Sequence, residues 1–438
     1  MKANIMITTK YVRDNLDAIR ESLAKRKSDY PLEELLSLDA EWRKLKTELQ
    51  ELQAKRNKTS LEISDAKKKG LGGTEDMIKE LQKTKARIEE LEGEIPSYEA
   101  RIDELLWNMP NVLDKSVRYG KDENDNVEVR KWGETTKESV LSHADILEKL
   151  GLVDIERAAK AAGARFYYLK GDLVHLGIAL EKFVLDELSK KGFTPILPPY
   201  MLRKEHYKGV TSLGDFEDAL YRVTDSEEGA KKESYEKVEG NLFLIATSEH
   251  AIAAMHAGEL FSARDLPLKY AGISPCFRRE AGAHGKDTKG IFRVHQFEKV
   301  EQFIFCREED SWKYFDELVK NEEEIFQKLK IPYHAVEMCT GEIGIVAAKK
   351  IDIEGWFPSQ GRYRELTSAS NCTDWQSRRL DIKYDEGGER KYVHTLNATG
   401  VAVERTLAAI VENYYDEKSN TITVPEVLVP YMGKSKIG

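Results

Sequence analysis

Residues 277–301 read FRREAGAHGKDTKGIFRVHQFEKVE, and this stretch decides the fold of the chain. Residues typical of a β-strand, among them Tyr270 and Ile273, precede it, and an alternating apolar and polar run begins at Ile291. Glycines at positions 282, 285 and 290 separate the two parts. The segment therefore predicts two antiparallel strands joined by a long, basic loop.

Four side chains of this stretch have the chemistry of a nucleotide site. One face of such a strand pair is expected to bring together Arg278, Glu280, Arg293 and Phe297. A cation suits a phosphate, a carboxylate suits an exocyclic amine, and an aromatic ring with an arginine can sandwich a flat base. For each residue taken singly, an ordinary solvated hairpin is the alternative. The four together at this spacing favour the nucleotide site.

Length and composition limit the number of domains, the kind of nucleic-acid contact and the use of the cysteines. The chain has 438 residues, too many for one ordinary core, so two or three domains are expected. Its net charge is −9, so any nucleic-acid contact must come from local basic patches. The four cysteines, at positions 276, 306, 339 and 372, lie far apart without a C-x-x-C pair. We expect reduced thiols, with neither a zinc site nor a disulfide framework.

The sequence carries no signal for a membrane or for export. No apolar run approaches the roughly 20 residues that cross a bilayer. The first four residues, Met-Lys-Ala-Asn, do not lead into a signal-peptide core. We therefore expect a cytoplasmic protein that makes no membrane contact.

Residues 31–105 are typical of two long helices. Apolar residues recur in steps of three and four after Pro31, at Leu35, Leu38, Trp42, Leu45, Leu49 and Leu52. After a glycine-rich turn at 70–73, a second series runs through Met77, Leu81, Ile88, Leu91, Ile95, Ile102 and Leu105. The two helices are expected to fold back on each other as an antiparallel coiled coil. Pro96 is expected to kink the second helix or to end its regular hydrogen bonding.

The distal half of this arm is basic, whereas its base near 89–104 is acidic. Such a charge run is often only a solvated helix face. On a projecting rod it also suits contact with nucleic-acid phosphates without sequence readout. Composition alone leaves both a nucleic acid and a protein open as the partner. The basic side chains available for phosphate contacts include Arg43, Lys44, Lys55, Arg56, Lys58, Lys83 and Arg87.

The middle of the chain predicts an α+β domain. A polar connector with short strand signals covers about 111–170, and an amphipathic helix then runs from Asp172 to the stop glycine Gly192. A proline-bounded strand follows at 193–199, and this helix–strand unit suits either ordinary packing or a dimer surface. The irregular order of helices and strands favours a mainly antiparallel sheet flanked by helices.

The C-terminal part supplies groups that suit phosphates and a metal ion. Glu365 and Ser368 could ligate Mg²⁺, although two ordinary exposed polar residues would have the same spacing. Arg405 lies in the first turns of a helix that follows a strand and Gly400, where an anion binds well. A core helix with a salt-bridged arginine is the alternative. The chain has neither a P-loop nor a Rossmann glycine motif, so a nucleotide would bind on another scaffold.

Taken together, these segments resemble the seryl-tRNA synthetase family of class II aminoacyl-tRNA synthetases. Residues 180–202 resemble motif 1, residues 274–301 resemble motif 2, and residues 395–413 resemble motif 3. The two-helix arm is similar to the domain with which this family grips the long variable arm of its tRNA. One departure is Ala402, where class II enzymes usually have a second glycine in motif 3.

The resemblance implies an α+β fold in two parts. The N-terminal tRNA-binding domain would cover residues 1–110 and consist of the antiparallel two-helix coiled coil with its lead-in. A class II catalytic domain, built on a mainly antiparallel β-sheet flanked by helices, would cover residues 111–438. A homodimer that forms through motif 1 is also implied.

The resemblance also implies roles for individual residues. Arg278 would hold the α-phosphate of ATP and the serine carboxylate, and Glu280 would accept a hydrogen bond from the adenine amine. Phe297 and Arg405 would lie on opposite faces of the base. The serine pocket would be formed by Thr247, Ser248, Glu249, Arg278, Glu301, Asn397 and Thr399. The ATP site would be formed by Arg278, Arg279, Glu280, Arg293, Val294, Phe297, Glu365, Leu366, Thr367, Ser368 and Arg405.

The implied activity is serine–tRNA ligation. L-serine would be activated with ATP to seryl-adenylate and passed to the 3′ end of tRNA(Ser), with tRNA(Sec) as a further candidate. The catalytic residues would be Arg278, Arg405 and Glu365, with Mg²⁺ on Glu365 and Ser368 and no zinc. Two alternatives stay open: a homologue that loads an amino acid onto a carrier protein, and a non-catalytic paralogue that uses only the arm.

Overall fold

A computed structural model describes residues 8–69, 74–135, 141–211, 219–223, 242–280 and 289–438. The chain divides into two compact units, Met1–Pro110 and Asn111–Gly438. Three expectations from the sequence lie outside the described residues: the glycine turn at 70–73, a charged insertion at 225–240 and the basic loop at 281–288. Among the described residues, no helix is both long and apolar enough to cross a membrane.

The first unit is helical over its described residues. Its helices are α1 (Thr9–Asp14), α2 (Leu16–Arg26), α3 (Leu32–Lys68) and α4 (Glu75–Trp107). Helices α3 and α4 pack against each other along their length. The buried residues of α4 recur at helical spacing, at Thr84, Ile88, Leu91, Ile95 and Ile102, as the apolar heptads predicted. The long two-helix arm is therefore confirmed.

Helix α4 continues from Glu75 to Trp107 with Pro96 inside it, so the helix does not end at the proline, and the kink expected there stays a prediction. A proline inside a helix removes one backbone hydrogen bond and costs about 3 kcal/mol. Apolar residues bury themselves on both sides of it, with Leu91 and Ile95 before the proline and Ile102 after it. Burying several such side chains contributes more than the proline costs, so the helix continues.

The second unit, residues 111–438, alternates short helices with many strands. Its helices are α5 (His143–Lys149), α6 (Ile155–Ala162), α7 (Asp172–Lys190), α8 (Lys204–Val210), α9 (Ser248–Met255), α10 (Ser311–Lys328), α11 (Trp375–Leu380), α12 (Val403–Tyr414) and α13 (Val429–Met432). Eleven of its strands, in chain order, are β1 (Val127–Trp132), β2 (Val153–Asp154), β3 (Tyr168–Leu169), β4 (Thr194–Ile196), β5 (Met201–Arg203), β6 (Arg222–Val223), β7 (Leu242–Leu244), β8 (Leu260–Ser262), β9 (Leu268–Phe277), β10 (Gln296–Cys306) and β11 (Tyr333–Glu337). The remainder are β12 (Lys349–Phe357), β13 (Arg362–Asn371), β14 (Lys383–Glu386), β15 (Glu389–Tyr392), β16 (His394–Ala402), β17 (Tyr415–Asp416), β18 (Thr421–Thr423) and β19 (Lys436–Ile437).

An eight-stranded sheet forms the centre of this unit. Its strand order is β1-β11-β12-β13-β16-β10-β9-β4. Seven of these strands pair antiparallel along the sheet, and β4 joins the edge of β9 in parallel. The mainly antiparallel sheet that the sequence predicted is confirmed. The predicted strand from Ile291 starts later, because residues 291–295 are irregular and β10 begins at Gln296.

Three helices cover one face of this sheet and form the main core with it. Helices α7, α10 and α12 contact the sheet strands and bury apolar residues such as Leu180, Leu318 and Leu407. On β10, Val300 and Ile304 belong to this core. Because side chains alternate along a strand, Glu301 and Phe303 face the other side of the sheet. That other face carries the polar groups described below.

A β-bulge at Gly400 interrupts the pairing of β16 with β10. Thr399 pairs with Glu301 and Val401 pairs with Val300, so Gly400 has no partner of its own. A Cβ atom on Gly400 would lie 3.1 Å from Val184 Cγ1 of α7 and 3.2 Å from the Val300 carbonyl oxygen. The bulge therefore allows helix α7 to approach the sheet closely at this point.

Candidate active site

A cavity of about 360 Å³ opens on the polar face of the sheet. Strands β10, β13 and β16, the start of α9 and the start of α12 all contribute side chains to its wall. Among the described residues, four cationic and three acidic side chains line it: Arg278, Lys299, Lys350 and Arg405, with Glu249, Glu301 and Glu365. A dense set of opposite charges in one cavity suits a substrate that itself carries both signs of charge.

The hairpin of β9 and β10 brings the predicted nucleotide-binding residues together. The guanidinium carbon of Arg278 lies 5.2 Å from the centre of the Phe297 ring, a cation–π contact. Arg293 Nη1 donates to Glu280 Oε2 at 2.8 Å. With Val294, these residues border a small second cavity beside the main one. The four side chains predicted to converge therefore lie at one place.

The far wall of this region comes from β13 and α12. Arg405 Nη1 lies 3.2 Å from both the backbone carbonyl oxygen and Oε1 of Glu365. Burial alone would raise the pKa of Glu365, but the nearby cations Arg405, Lys350 and Arg278 hold it well below its ordinary value. Glu365 is therefore an ionised carboxylate at neutral pH. Leu366, Thr367 and Ser368 line the same wall.

The opposite end of the cavity combines the buried carboxylate of Glu301 and the partly buried carboxylate of Glu249 with hydroxyl and amide groups. Glu249 Oε1 accepts hydrogen bonds from Asn397 Nδ2 at 3.1 Å and from Gln376 Nε2 at 2.9 Å. Thr399 Oγ1 donates to Glu301 Oε2 at 3.4 Å across the strand pair. Burial, together with the nearby charge of Glu301, raises the pKa of Glu249 to about 7. This end suits an ammonium group and a hydroxyl group of one small ligand.

Helix α9 begins at this end and fixes the position of Glu249. Thr247 is its N-cap, and Thr247 Oγ1 accepts a hydrogen bond from the backbone N–H of Glu249 at 3.2 Å. Ser248 is fully buried and donates its hydroxyl to the Gly272 carbonyl oxygen at 3.3 Å. Ser248 and Arg279 are not among the described residues that line either cavity. The structure thus brings Thr247 and Glu249 to the cavity and turns Ser248 away from it.

Sequence reasoning missed several residues of the cavity wall. Lys299, Lys350, His250 and Cys372 line the cavity, and none of them was predicted. Lys299 could have been found, because it lies two residues before Glu301 and side chains two apart on a strand share a face. The other three carry no comparable signal, because their approach depends on how separate elements pack. Their positions required the structure.

The basic residues of the arm differ in how they are engaged. Lys58 and Lys83 are exposed. Arg87 instead donates to both carboxylate oxygens of Glu48 on α3, at 2.8 and 3.1 Å, and pairs with Glu90. The other predicted tRNA contacts also have local partners: Arg43 with Asp39, Lys44 with Glu41, Lys55 with Glu80, and Arg56 with Asn57.

Comparison with known proteins matches both units. Residues 231–414 match the tRNA synthetase class II core domain (G, H, P, S and T), and residues 6–113 match the seryl-tRNA synthetase N-terminal domain. The serine–tRNA ligase of Pyrococcus abyssi is 47% identical over 99% of this chain and 97% of its own length.

Two solved structures are similar over nearly the whole chain. The seryl-tRNA synthetase from Pyrococcus horikoshii complexed with ATP is 44% identical, with 99% of each chain covered and a TM-score of 0.90. The cytoplasmic serine–tRNA ligase from Naegleria fowleri in complex with AMP is 39% identical, with a TM-score of 0.86. In that comparison, 98% of this chain and 96% of the other are covered.

The antiparallel sheet, its charged cavity and the matched core domain define a class II aminoacyl-tRNA synthetase. Within that class, the arm and the full-length relatives decide the branch, and the chain belongs to the seryl-tRNA synthetase family of aminoacyl-tRNA ligases. The resemblance stated from the sequence is confirmed. The carrier-protein alternative is not favoured, because the relatives match the arm as well as the catalytic core.

Proposed function

We propose that this chain activates L-serine with ATP to seryl-adenylate and transfers serine to the 3′ end of tRNA(Ser). One observation carries the proposal: a single cavity holds a carboxylate and hydroxyl set beside a cation and carboxylate set. The first set, Glu249, Glu301 and Thr399, suits an amino acid with a hydroxyl group. The second set, Arg278, Glu365 and Arg405, suits a triphosphate.

The serine end of the cavity offers different protein groups to the ammonium, hydroxyl and carboxylate groups of serine. Glu249 would take the serine ammonium group, with Thr247 and Asn397 beside it. Glu301 and Thr399, already joined by a hydrogen bond, would hold the serine hydroxyl. A pocket that pairs buried polar groups with a hydroxyl rejects the analogue that lacks it by about 10⁴-fold, so alanine should be excluded. Threonine must be excluded by the walls of the pocket.

The nucleotide end is supplied by the hairpin and by α12. Phe297 and Arg405 would stack on opposite faces of adenine, and both line the main cavity. Glu280 would accept from the adenine amine, and its ion pair with Arg293 already fixes the orientation of its carboxylate. Arg278 would contact the α-phosphate and the serine carboxylate at once, because it lines both cavities.

Glu365 and Ser368 fit a magnesium ion by their chemistry. Mg²⁺ prefers oxygen ligands, typically one or two carboxylates together with substrate phosphates. Glu365 is an ionised carboxylate, and both side chains line the same cavity wall. When bound, Mg²⁺ would neutralise phosphate charge. The side chains of Arg278 and Arg405 would also neutralise phosphate charge.

The first chemical step needs no protein nucleophile. A serine carboxylate oxygen attacks the α-phosphorus of ATP in line, a P–O bond forms, and pyrophosphate leaves. Arg278 holds both reacting groups together, and Arg405 offsets the charge on the leaving phosphates. A ribose hydroxyl at the 3′ end of the tRNA then attacks the seryl carbonyl carbon, and AMP leaves. The protein contributes positioning and charge.

We propose that the arm binds the tRNA through phosphate contacts. Its predicted contact residues lie along α3 and α4, and Lys58 and Lys83 offer exposed ammonium groups. Arg87 would contribute less, because its guanidinium already joins the two helices through Glu48. We also propose tRNA(Sec) as a second substrate and the cytoplasm as the site of action, as the sequence led us to expect.

A homodimer through motif 1 is supported by an exposed apolar patch. Five large apolar side chains of α7, β5 and the segment between β4 and β5 are well exposed in the single chain: Val174, Ile178, Leu197, Tyr200 and Met201. Leu197 is 71% exposed and Ile178 is 59% exposed, which is unusual for side chains of this type. A second copy would cover them and complete a self-complementary interface.

Charging of total tRNA with labelled serine, in the presence of ATP and Mg²⁺, tests the proposed function. Serine should be incorporated, and alanine and threonine should give no signal. Replacing residues 43–87 by a short glycine turn should abolish charging and leave serine-dependent pyrophosphate exchange in place. Serine-dependent exchange without charging of any tRNA by the intact protein would overturn the tRNA part of the proposal. Absence of both reactions would overturn the activation of serine.

A further inference from the structure

Lys299 is a buried cation that lines the serine end of the cavity. Only 5% of the residue is exposed, and its ammonium group forms an ion pair with Glu301 Oε2. Both residues lie on β10, two positions apart, and therefore face the cavity side by side. Removing a charged side chain from water is costly, so a lysine at such a place needs a specific partner. Its partner is the carboxylate that would receive the serine hydroxyl.

We infer that Lys299 is a positioning residue of the serine pocket, which holds the Glu301 carboxylate in place as the acceptor for the substrate hydroxyl. The inference rests on the proposed function. Thr399 approaches the same oxygen of Glu301 from β16, so that oxygen lies between an ammonium and a hydroxyl donor. The second carboxylate oxygen is then the one left for the substrate.

The charges around the pocket explain why a cation is needed here. Glu301 faces Lys299 on its own strand, Thr399 on β16, Arg278 after β9, and two further carboxylates, Glu249 on α9 and Glu322 on α10. Burial raises the pKa of Glu301, and the positive charge of Lys299 opposes that rise. Arg278 is committed to the serine carboxylate in the proposed complex. Lys299 is therefore the cation that favours the ionised form of Glu301 when serine binds.

The test compares Lys299→Met with Lys299→Arg in serine-dependent pyrophosphate exchange on the full chain. Lys299→Met should raise the KM for serine by about 100-fold, the size expected when one partner of a buried charge pair is removed. The KM for ATP should stay within about twofold, because Lys299 lies at the other end of the cavity. Lys299→Arg should restore most of the serine affinity. Lys349→Met, which breaks a partly buried pair with Glu337 outside the cavity wall, is the matched control.

A pH profile separates positioning from mere support of the fold. Without the positive charge of Lys299, the pKa of Glu301 should rise further, so the KM for serine should reach its low plateau only at a higher pH than in the unaltered protein. Glu249 titrates both in the unaltered protein and in Lys299→Met, so it does not account for a difference between their pH profiles. An unchanged profile and serine KM in folded Lys299→Met would overturn the inference. If that variant does not fold, Lys299→Gln is measured in its place, and an unchanged serine KM there has the same meaning.

The same assay keeps the two proposals apart. If the unaltered protein gives no serine-dependent exchange, the proposed function fails and the inference falls with it. If the unaltered protein exchanges normally and Lys299→Met shows a raised KM for ATP but not for serine, only the role of Lys299 fails.

Discussion

At the scale of single residues, the proposed complex pairs each substrate charge with an opposite charge that the protein already holds in place. Glu249 is held by Gln376 and Asn397, and Glu301 is held by Thr399 and Lys299. Because these side chains are oriented before the substrate arrives, little reorganisation is needed during the reaction. Replacing any of them should therefore affect one substrate group and leave the others bound.

Replacing Glu301 by alanine should remove serine activation while ATP still binds. The hydroxyl would lose its acceptor and Lys299 would lose its partner, so kcat/KM for serine should fall by about 10³-fold or more. Serine-dependent pyrophosphate exchange measures the first effect, and calorimetric titration with ATP measures the second. Glu337→Ala, at a partly buried carboxylate outside the cavity wall, serves as the control. Near-normal exchange by Glu301→Ala would remove the basis for the serine pocket.

The sequence located about half of the residues that line the main cavity, but not the directions of their side chains. Arg278, Glu280, Arg293 and Phe297 were predicted to converge and do lie together, although only Phe297 is on a strand, because β9 ends at Phe277 and β10 begins at Gln296. Ser248 lies beside Glu249 in sequence, yet its hydroxyl donates to Gly272 and points away from the cavity. That outcome depends on how helix α9 packs on β9, which no local pattern contains.

At the scale of elements, the arm combines apolar packing with ion pairs between its helices. Apolar residues of α3 and α4 are buried along the seam, and Arg87–Glu48 and Arg101–Glu34 connect the two helices outside it. The heptads predicted the seam because apolar spacing determines which face is buried. The heptads could not show that Arg87 joins the two helices of the arm, because its partner Glu48 lies on the other helix.

Reversing the charge of the exposed arm lysines should weaken tRNA binding without altering adenylate formation. Lys58→Glu/Lys83→Glu should raise the KM for tRNA on the order of tenfold, with a flatter dependence on salt, because phosphate contacts are lost. Aminoacylation at several salt concentrations measures this, and pyrophosphate exchange should be unchanged. Lys418→Glu/Lys436→Glu carries the same change in charge on exposed residues of the second unit. Equal effects of both pairs would contradict a specific role of the arm.

An ion-pair network at the edge of the sheet should make stability depend on pH. His334 Nδ1 lies 2.7 Å from Glu128 and Nε2 lies 2.6 Å from Glu354. Burial alone would lower the pKa of His334, but hydrogen bonds to these two carboxylates outweigh it and raise the pKa. The network therefore stabilises the fold at pH values below the ordinary histidine pKa, and this contribution is lost as pH rises through the raised value.

Replacing His334 by glutamine should therefore destabilise the protein more at pH 6 than at pH 9. The difference between the two pH values should be about 1 kcal/mol in the free energy of unfolding, typical for one partly buried network. Urea denaturation at each pH measures it. Glu128→Gln/Glu354→Gln, which keeps the imidazole but removes both carboxylates, should lose the same pH-dependent part. An equal loss at pH 6 and pH 9 would show that the network carries no charge.

At the scale of the whole molecule, the exposed apolar side chains on α7 and around β5 form the surface through which the proposed dimer would assemble. Ile178→Asp should separate the proposed dimer, because an interface that buries an unpaired carboxylate pays a large desolvation cost. Sedimentation equilibrium should show a dimer for the unaltered protein and a dissociation constant at least about 100-fold higher for the variant. Leu61→Asp, at an exposed leucine of the arm, should leave the dimer intact. A monomeric unaltered protein would refute the dimer.

The overall architecture could be predicted from the sequence more completely than the local details of the structure. The two long helices and the antiparallel sheet were predicted, because heptads and strand alternation extend over many residues. Helix α4 continues past Pro96, because the burial of apolar side chains on both sides outweighs the local cost of the proline. The place of β7 in a small sheet with β5 and β6 depends on long-range pairing, which no local pattern of the sequence contains.

The bulge at Gly400 restricts how this protein can vary over evolutionary time. A methyl group there would press on Val184, on the Val300 carbonyl oxygen and on Leu188 at 3.1, 3.2 and 3.3 Å. Two of these neighbours lie on α7, which also carries the exposed apolar patch, and the third lies beside Glu301. A side chain at this position would require these neighbours, which belong to two different elements, to shift by a few tenths of an ångström. Position 400 should therefore resist mutational drift even in lineages whose surfaces have diverged widely.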